Sequence, residues 1–110
     1  MKLVKFRDYL VPLVLSGQKN STWRLFDDKN LSVGDDIELR EFGKDDSFAS
    51  AKIIKVIEKP FGELTDDDKE GHETFSNDEE MYKTYSGYYN TDVTSDTNVK
   101  IIWFELTNQF

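Results

Sequence analysis

Five stretches of this chain read as β-strand, and the two that read as helix do not alternate with them. KLVKF, residues 2–6, is a short strand. NSTWRLF, residues 20–26, suits a second. Successive strand side chains point to opposite faces, so Ser21, Trp23 and Leu25 share one face and Thr22, Arg24 and Phe26 the other. A turn at Gly34-Asp35 leads into a third strand over about 36–42. GKDDS, 43–47, reads as a hairpin loop before FASAKIIKVIEKP, 48–60, a long strand stopped by Pro60, whose ring nitrogen cannot donate to a ladder. VKIIWFELT, 99–107, is the last. A helix is expected over Tyr9–Ser16, with Asp8 as N-cap, Pro12 tolerated in or near the first turn and Gly17 as its stop. A second is expected over 78–89, capped by Ser76 or Asn77 and closed by Gly87. Asp27-Asp28-Lys29-Asn30 and NTDVTSDTN read as loops. Strands joined by short loops, without a helix between each pair, argue against a βαβ sheet. They point to the α+β class: a small mixed β-barrel of about five to six strands with two or more flanking helices. The expected organisation is a single domain over residues 1–110 with one core.

Charge divides the chain unevenly. The formal net charge is -8, yet residues 1–24 carry Lys2, Lys5, Arg7, Lys19 and Arg24 against Asp8 alone, which is +4. The remainder is therefore -12. An acidic surface repels phosphate, so duplex DNA is not an expected partner and an extended RNA path is disfavoured. A local basic cleft in an acidic body stays open. There are no cysteines, which excludes disulfides and thiolate metal sites and makes a reducing, cytoplasmic setting the default. The N-terminal apolar stretch is short and broken by Pro12, so neither a signal peptide nor a membrane span is expected.

SGQKNSTWR, residues 16–24, puts two cations and a hydroxyl close together. Thr22 and Arg24 share a strand face, and Lys19 precedes the strand at a turn from which its side chain can bend over that face. A hydroxyl beside a lysine is a workable nucleophile and base if the amine is partly neutral, and burial and the nearby Arg24 would both lower its pKa. The same set could instead bind a phosphate or carboxylate without chemistry. Spacing alone also fits a solvated turn with unrelated charges.

The string Gly17-Gln18-Lys19-Asn20-Ser21-Thr22-Trp23-Arg24 is similar to the GxKxx[ET]xR motif of the ASCH domain family, whose fold is a PUA-like β-barrel. The flanks resemble it too: an apolar helix ending Leu-Ser-Gly, a Val33-Gly34-Asp35 turn, the acidic ELTDDDKEGHE segment, a helix bearing Glu-Met, and the closing IIWFEL strand. The resemblance covers essentially the whole chain. It implies a cleft between barrel and helices lined by the motif, with Gly17, Lys19, Arg24, Glu70 and His72 as substrate- or RNA-binding candidates. ASCH domains are proposed to bind RNA. Some small bacterial members are amidohydrolases that remove acetyl from acetylcytidine, and others are associated with ribonuclease activity. The amidohydrolase branch implies Lys19 as base, Thr22 as nucleophile and a downstream glutamate, best matched by Glu73 with Glu63 and Glu70 as rivals. The partners implied are RNA or a small modified nucleoside, with no cofactor, no metal and no membrane.

The remaining features are less specific. His72, the only histidine, sits among acids that would raise its pKa. Three consecutive aspartates, Asp66-Asp67-Asp68, cannot all face one ion on a regular element, so a solvated acidic loop is expected in place of a metal site. Tyr82, Tyr85, Tyr88 and Tyr89, with Trp103, could stack on a base. The i, i+3, i+7 spacing of Tyr82, Tyr85 and Tyr89 also suits a helix face packed on a core, with one ring reaching the cleft.

Overall fold

The structure, a computed structural model, describes residues 1–26 and 29–110. Asp27 and Asp28, half of the loop expected over 27–30, lie outside the described residues. Strand β1 spans Lys2–Phe6, and a 3-10 turn over Asp8–Leu10 runs into helix α1, Val11–Leu15. Strands β2 (Ser21–Arg24), β3 (Asp36–Glu41) and β4 (Ser47–Pro60) follow, then a 3-10 turn over Phe61–Glu63, helix α2 (Asp78–Tyr89) and strand β5 (Asn98–Gln109).

All five strands form one mixed sheet in the order β1-β3-β4-β5-β2. Strand β1 runs parallel to β3, and every other pairing is antiparallel. Register shifts at Leu39/Arg40, Ser50/Ala51 and Ile53/Lys55 mark bulges, which bend a strand and increase its twist. The sheet curls into a half-barrel flanked by the two helices, the α+β architecture that the strand pattern points to. Its two edges are β1, which carries Lys2 and Lys5, and β2, which ends in Arg24.

One core was expected; the sheet has two apolar clusters. Val4, Phe6, Ile37, Leu39, Ile53, Ile102 and Phe104 pack with Leu10 and Val14 of the α1 region. Trp23, Leu25, Phe61, Val99 and Ile101 pack with Met81 and Tyr85 of α2. Ile101 and Ile102 fall in different clusters because neighbours on a strand point to opposite faces. Strand β5 is covered on both sides, which explains its unbroken IIWF run.

The helix ends differ from expectation. Asp8 does not cap the first helix. It lies inside the 3-10 turn and accepts a hydrogen bond from the Tyr9 N–H (2.9 Å). Pro12 is in the first turn of α1, where its missing N–H costs nothing. Asn77 caps α2 by accepting from the Glu80 N–H, as expected. Gly87 does not end α2: it lies within the helix, and Asn90 terminates it at φ +51, in the left-handed region that asparagine tolerates.

Candidate functional site

A cavity of about 170 Å³ opens between the two edge strands of the half-barrel. Strand β1 and its extension supply Lys5, Phe6 and Arg7; the motif supplies Lys19, Thr22, Trp23 and Arg24. The segment before α2 adds His72 and Glu73, and α2 adds Tyr85, Tyr88 and Tyr89. Strand β2 pairs with β5 on one side only, so its other edge is open. That is why three consecutive residues, Thr22 to Arg24, reach one cavity despite strand alternation. Ser21, Trp23 and Leu25 are all buried and Phe26 is exposed, as alternation expects, but Thr22 on the other face is buried as well. Arg24 Nη2 donates to the Lys5 carbonyl (3.2 Å), bridging the two edges that no ladder joins.

Local geometry buries Lys19. Gly17 ends α1 at φ +84, and the chain turns so that the Lys19 N–H donates to the Leu13 carbonyl (3.0 Å). The side chain then points inward and is only 3% exposed. Its Nζ donates to Glu73 Oε2 at 2.7 Å and lies 6.0 Å from the centre of the Phe6 ring. Burial lowers the Lys19 pKa against the opposing pull of Glu73, and Arg24 adds to the lowering. Burial opposes ionisation of Glu73, but the charges nearby and the hydrogen bond from Lys19 outweigh it and hold the carboxyl below its usual range. Among the described residues the Thr22 hydroxyl makes no hydrogen bond.

Glu73 reaches this position because Gly71 docks its segment on the motif. The Gly71 carbonyl accepts from the N–H groups of both Asn20 (2.9 Å) and Ser21 (3.2 Å). Gly71 has φ +80, a conformation that favours glycine, and a Cβ there would stand 1.8 Å from Asn20 Oδ1 and force that side chain to move.

His72 corrects the expectation drawn from its acidic neighbours. It is buried, and its pKa is lowered to about 4, first by burial and then by Lys19, with Glu73 opposing. Its ring stacks on Trp23 at 3.8 Å between centres. Nδ1 lies 2.9 Å from the Glu73 carbonyl oxygen, which can only accept, so this nitrogen carries the proton. Nε2 then accepts from the Tyr85 hydroxyl at 3.0 Å. Burial pushes the Tyr85 phenol well up, so it remains a donor. A neutral His72 thus ties Tyr85 to the backbone of Glu73.

The other sequence-derived candidates separate. Of the three glutamates, only Glu73 lines the cavity; Glu63 and Glu70 are exposed. The Glu70 carbonyl accepts from Trp103 Nε1 (3.1 Å), while Lys55 covers the Trp103 ring at 4.9 Å, so neither residue is part of the cavity wall. Gly17 shapes the turn without lining the cavity. Asp66 and Asp67 are exposed, but Asp68 is not part of a solvated loop. It is buried, accepting from Lys59 Nζ (2.7 Å) and the Thr65 N–H (2.9 Å). Among the described residues no cluster of metal-ligating side chains occurs. Among the described residues no helix is long and apolar enough to cross a membrane. Lys5, Phe6, Arg7 and Phe42 were not singled out from sequence. The one signal that pointed toward two of them is the +4 charge of the first 24 residues, which includes Lys5 and Arg7.

No protein-family model matches the chain, and no curated protein matches it. Solved structures do. A protein of the DUF984 family from Enterococcus faecalis superposes with a TM-score of 0.76 at 19% identity, covering 93% of this chain and 72% of that one. An ASCH domain from Lactobacillus crispatus gives 0.72 at 12% identity over 98% of this chain and 81% of that one. An ASCH protein from Zymomonas mobilis gives 0.60 at 10% identity over 94% and 65%. At these identities the likeness is one of architecture, and the half-barrel with its motif-lined opening between β1 and β2 has the fold of the ASCH domains.

Proposed function

We propose that the chain is a member of the ASCH family whose cavity binds one nucleobase, presented by a modified nucleoside or by an unpaired residue of RNA. The observation that carries this reading is the composition of a single small cavity. Flat rings wall it, while Lys19, Thr22, Arg24 and Glu73 provide donors and acceptors at its floor and side. Stacking on aromatic rings with a few placed polar groups is how unstacked bases are held. The cavity's size and the chain's charge of -8 favour a nucleoside or a short single strand over long RNA.

One specific contact favours an amidohydrolase acting on an acylated nucleoside such as acetylcytidine. Lys19 and Glu73 already lie 2.7 Å apart beside Thr22 in the same cavity. A proton passed from the ammonium to the carboxylate leaves a neutral amine and a carboxylic acid. The amine takes the proton of Thr22 as its oxygen attacks the amide carbonyl, and the acid supplies the proton that the departing amine needs, leaving acetyl on Thr22. Water that gives its proton to the Glu73 carboxylate then cleaves this ester, the Lys19 ammonium returns a proton to the Thr22 oxygen, and acetic acid leaves. Arg24 or a backbone N–H of the turn stabilises the oxyanion. Ribonuclease action has less support, because the only histidine is held neutral and is committed to two internal hydrogen bonds.

The test combines calorimetric titration with nucleosides and short single-stranded RNAs with product analysis on acetylcytidine. Binding of a nucleoside or short RNA, abolished by Lys19→Ala, is expected. Release of acetate would establish the hydrolase. Failure of both ligand classes to bind would overturn the nucleobase reading.

A further inference from the structure

The cations at the mouth of the cavity have no carboxylate opposite them. Lys19, on the floor, is matched by Glu73. Lys5 and Arg7 lie at the end of β1 and just beyond it, and Arg24 ends β2 across the opening. None of these three forms an ion pair with a described residue, although the chain holds 22 acidic residues against 14 basic ones. Several cations elsewhere find partners, Lys2 meeting Asp35 and Lys59 meeting Asp68 each at 2.7 Å, while Lys55 and Lys83 pair with no described carboxylate. The cavity wall as a whole carries four cations and one carboxylate, a formal +3 inside a chain of -8.

Arg7 is also held in place. Its guanidinium carbon lies 5.3 Å from the centre of the Phe42 ring and 4.8 Å from that of Tyr88. Tyr88 is fixed in turn by Tyr9, with the hydroxyl oxygens 2.6 Å apart. A guanidinium held against two rings has lost much of its rotamer freedom before any ligand arrives. Its N–H groups make no hydrogen bond to a described residue. Arg24 directs Nη2 to the Lys5 carbonyl, and its Nε is buried without a partner. Donors and unanswered charge therefore collect at the mouth, above a floor already neutralised by its own ion pair.

We propose that this mouth is a phosphate subsite, in which Lys5, Arg7 and Arg24 hold a phosphate on the sugar of a ligand that enters base first. The inference rests on the nucleobase reading of the cavity and specifies its ligand: a nucleotide, as free monoester or as diester in a single strand, in preference to the unphosphorylated nucleoside. Guanidinium donors match phosphate oxygens in geometry as well as charge. A positive mouth with an acidic surround also steers an anion to this one place.

The test is calorimetry at low ionic strength with cytidine, adenosine, their 5′-monophosphates, inorganic phosphate and a short single-stranded RNA. The better-bound monophosphate should bind about tenfold or more tightly than its nucleoside, as two charge-assisted contacts provide. Arg7→Ala should reduce that ratio to below about threefold, and Lys5→Ala, which alters an exposed side chain, should reduce it by a smaller factor. RNA binding tighter than the monophosphate assigns the diester; equal or weaker binding assigns the monoester. Equal affinity for nucleoside and nucleotide would overturn the phosphate subsite while leaving the nucleobase reading intact. Inorganic phosphate binding as tightly as the nucleotides would overturn the base-first arrangement. Failure of every probe to bind would remove the nucleobase reading and the subsite together.

Discussion

Lys19 Nζ and Glu73 Oε2 lie 2.7 Å apart, although 54 positions separate the two residues in the chain. The contact closes the floor of the cavity and joins the motif turn to the segment before α2. Because Lys19 is almost fully buried, removing Glu73 alone would leave a charge without water or partner.

If the cavity hydrolyses acylated nucleosides, Thr22→Ala should abolish turnover while leaving ligand affinity within a few fold, because the hydroxyl acts in the transition state. Lys19→Arg should be as damaging as Lys19→Ala, since a guanidinium does not give up its proton near neutral pH. The reactive form holds one proton on the Lys19–Glu73 pair. The rate should therefore rise as the pair loses its first proton, below the ordinary Glu73 value of 4.5, and fall as it loses the second, below the ordinary Lys19 value of 10.5. Single-turnover hydrolysis of acetylcytidine measures all three. Turnover retained in Thr22→Ala would remove the nucleophile role.

Trp23→Ala should destabilise the fold by about 3–5 kcal/mol, the usual range for removing a buried large side chain. Trp23 is 4% exposed and stacks on His72 while packing on Phe61 and Tyr85. The measurement is the free energy of urea unfolding; an unchanged midpoint would contradict the packing.

Stability should fall as pH drops below about 6.5. The folded His72 pKa is about 4, against an ordinary 6.5, so the unfolded chain takes up a proton that the folded chain refuses. The stability from this group is fully present above the ordinary value and is lost on the way down to the folded one. The total is roughly 3 kcal/mol, at about 1.4 kcal/mol per pKa unit. With only one histidine in the chain, a slope of unfolding free energy between about pH 6.5 and 5 belongs to His72. A flat profile there would show that the ring is not held neutral.

Gly71→Ala should cost more than Gly43→Ala. Both glycines have positive φ, +80 and +83, so each substitution incurs the left-handed penalty of roughly 1–2 kcal/mol. At Gly43 a Cβ meets open space, whereas at Gly71 it meets Asn20 Oδ1. The difference between the two unfolding free energies isolates that clash. Equal values would mean that Asn20 swings aside freely.

RNA affinity, where present, should depend only gently on salt. Lys5, Arg7 and Arg24 converge on one phosphate, so log K against log salt should slope near the single-strand value of about -0.7 per phosphate. A slope of -6 or steeper would require a basic path running beyond the cavity.

The strands were legible because their signals are local. Period-2 alternation placed Ser21, Trp23 and Leu25 on the buried face, and Pro60 ended β4 where the sequence put its stop. Lys19, Thr22 and Arg24 were legible for the same reason, being fixed by one turn and one strand. The pairing of β1 with β3 and the division of the apolar residues into two clusters were not, since they depend on which face each distant element covers. Glu63, Glu70 and Glu73 were indistinguishable in sequence, because an irregular segment has no period from which to read side-chain direction. Docking of Gly71 on Asn20 and Ser21 made the choice. The neutrality of His72 likewise came from burial against Trp23, which overrides the charges beside it in the chain. Arg7, Phe42 and Tyr88 come from three separate segments, and only the curl of the sheet brings them to one mouth. Sequence by itself determined what each short element is; tertiary structure decided which faces meet, because burial and charge act through space and not along the chain.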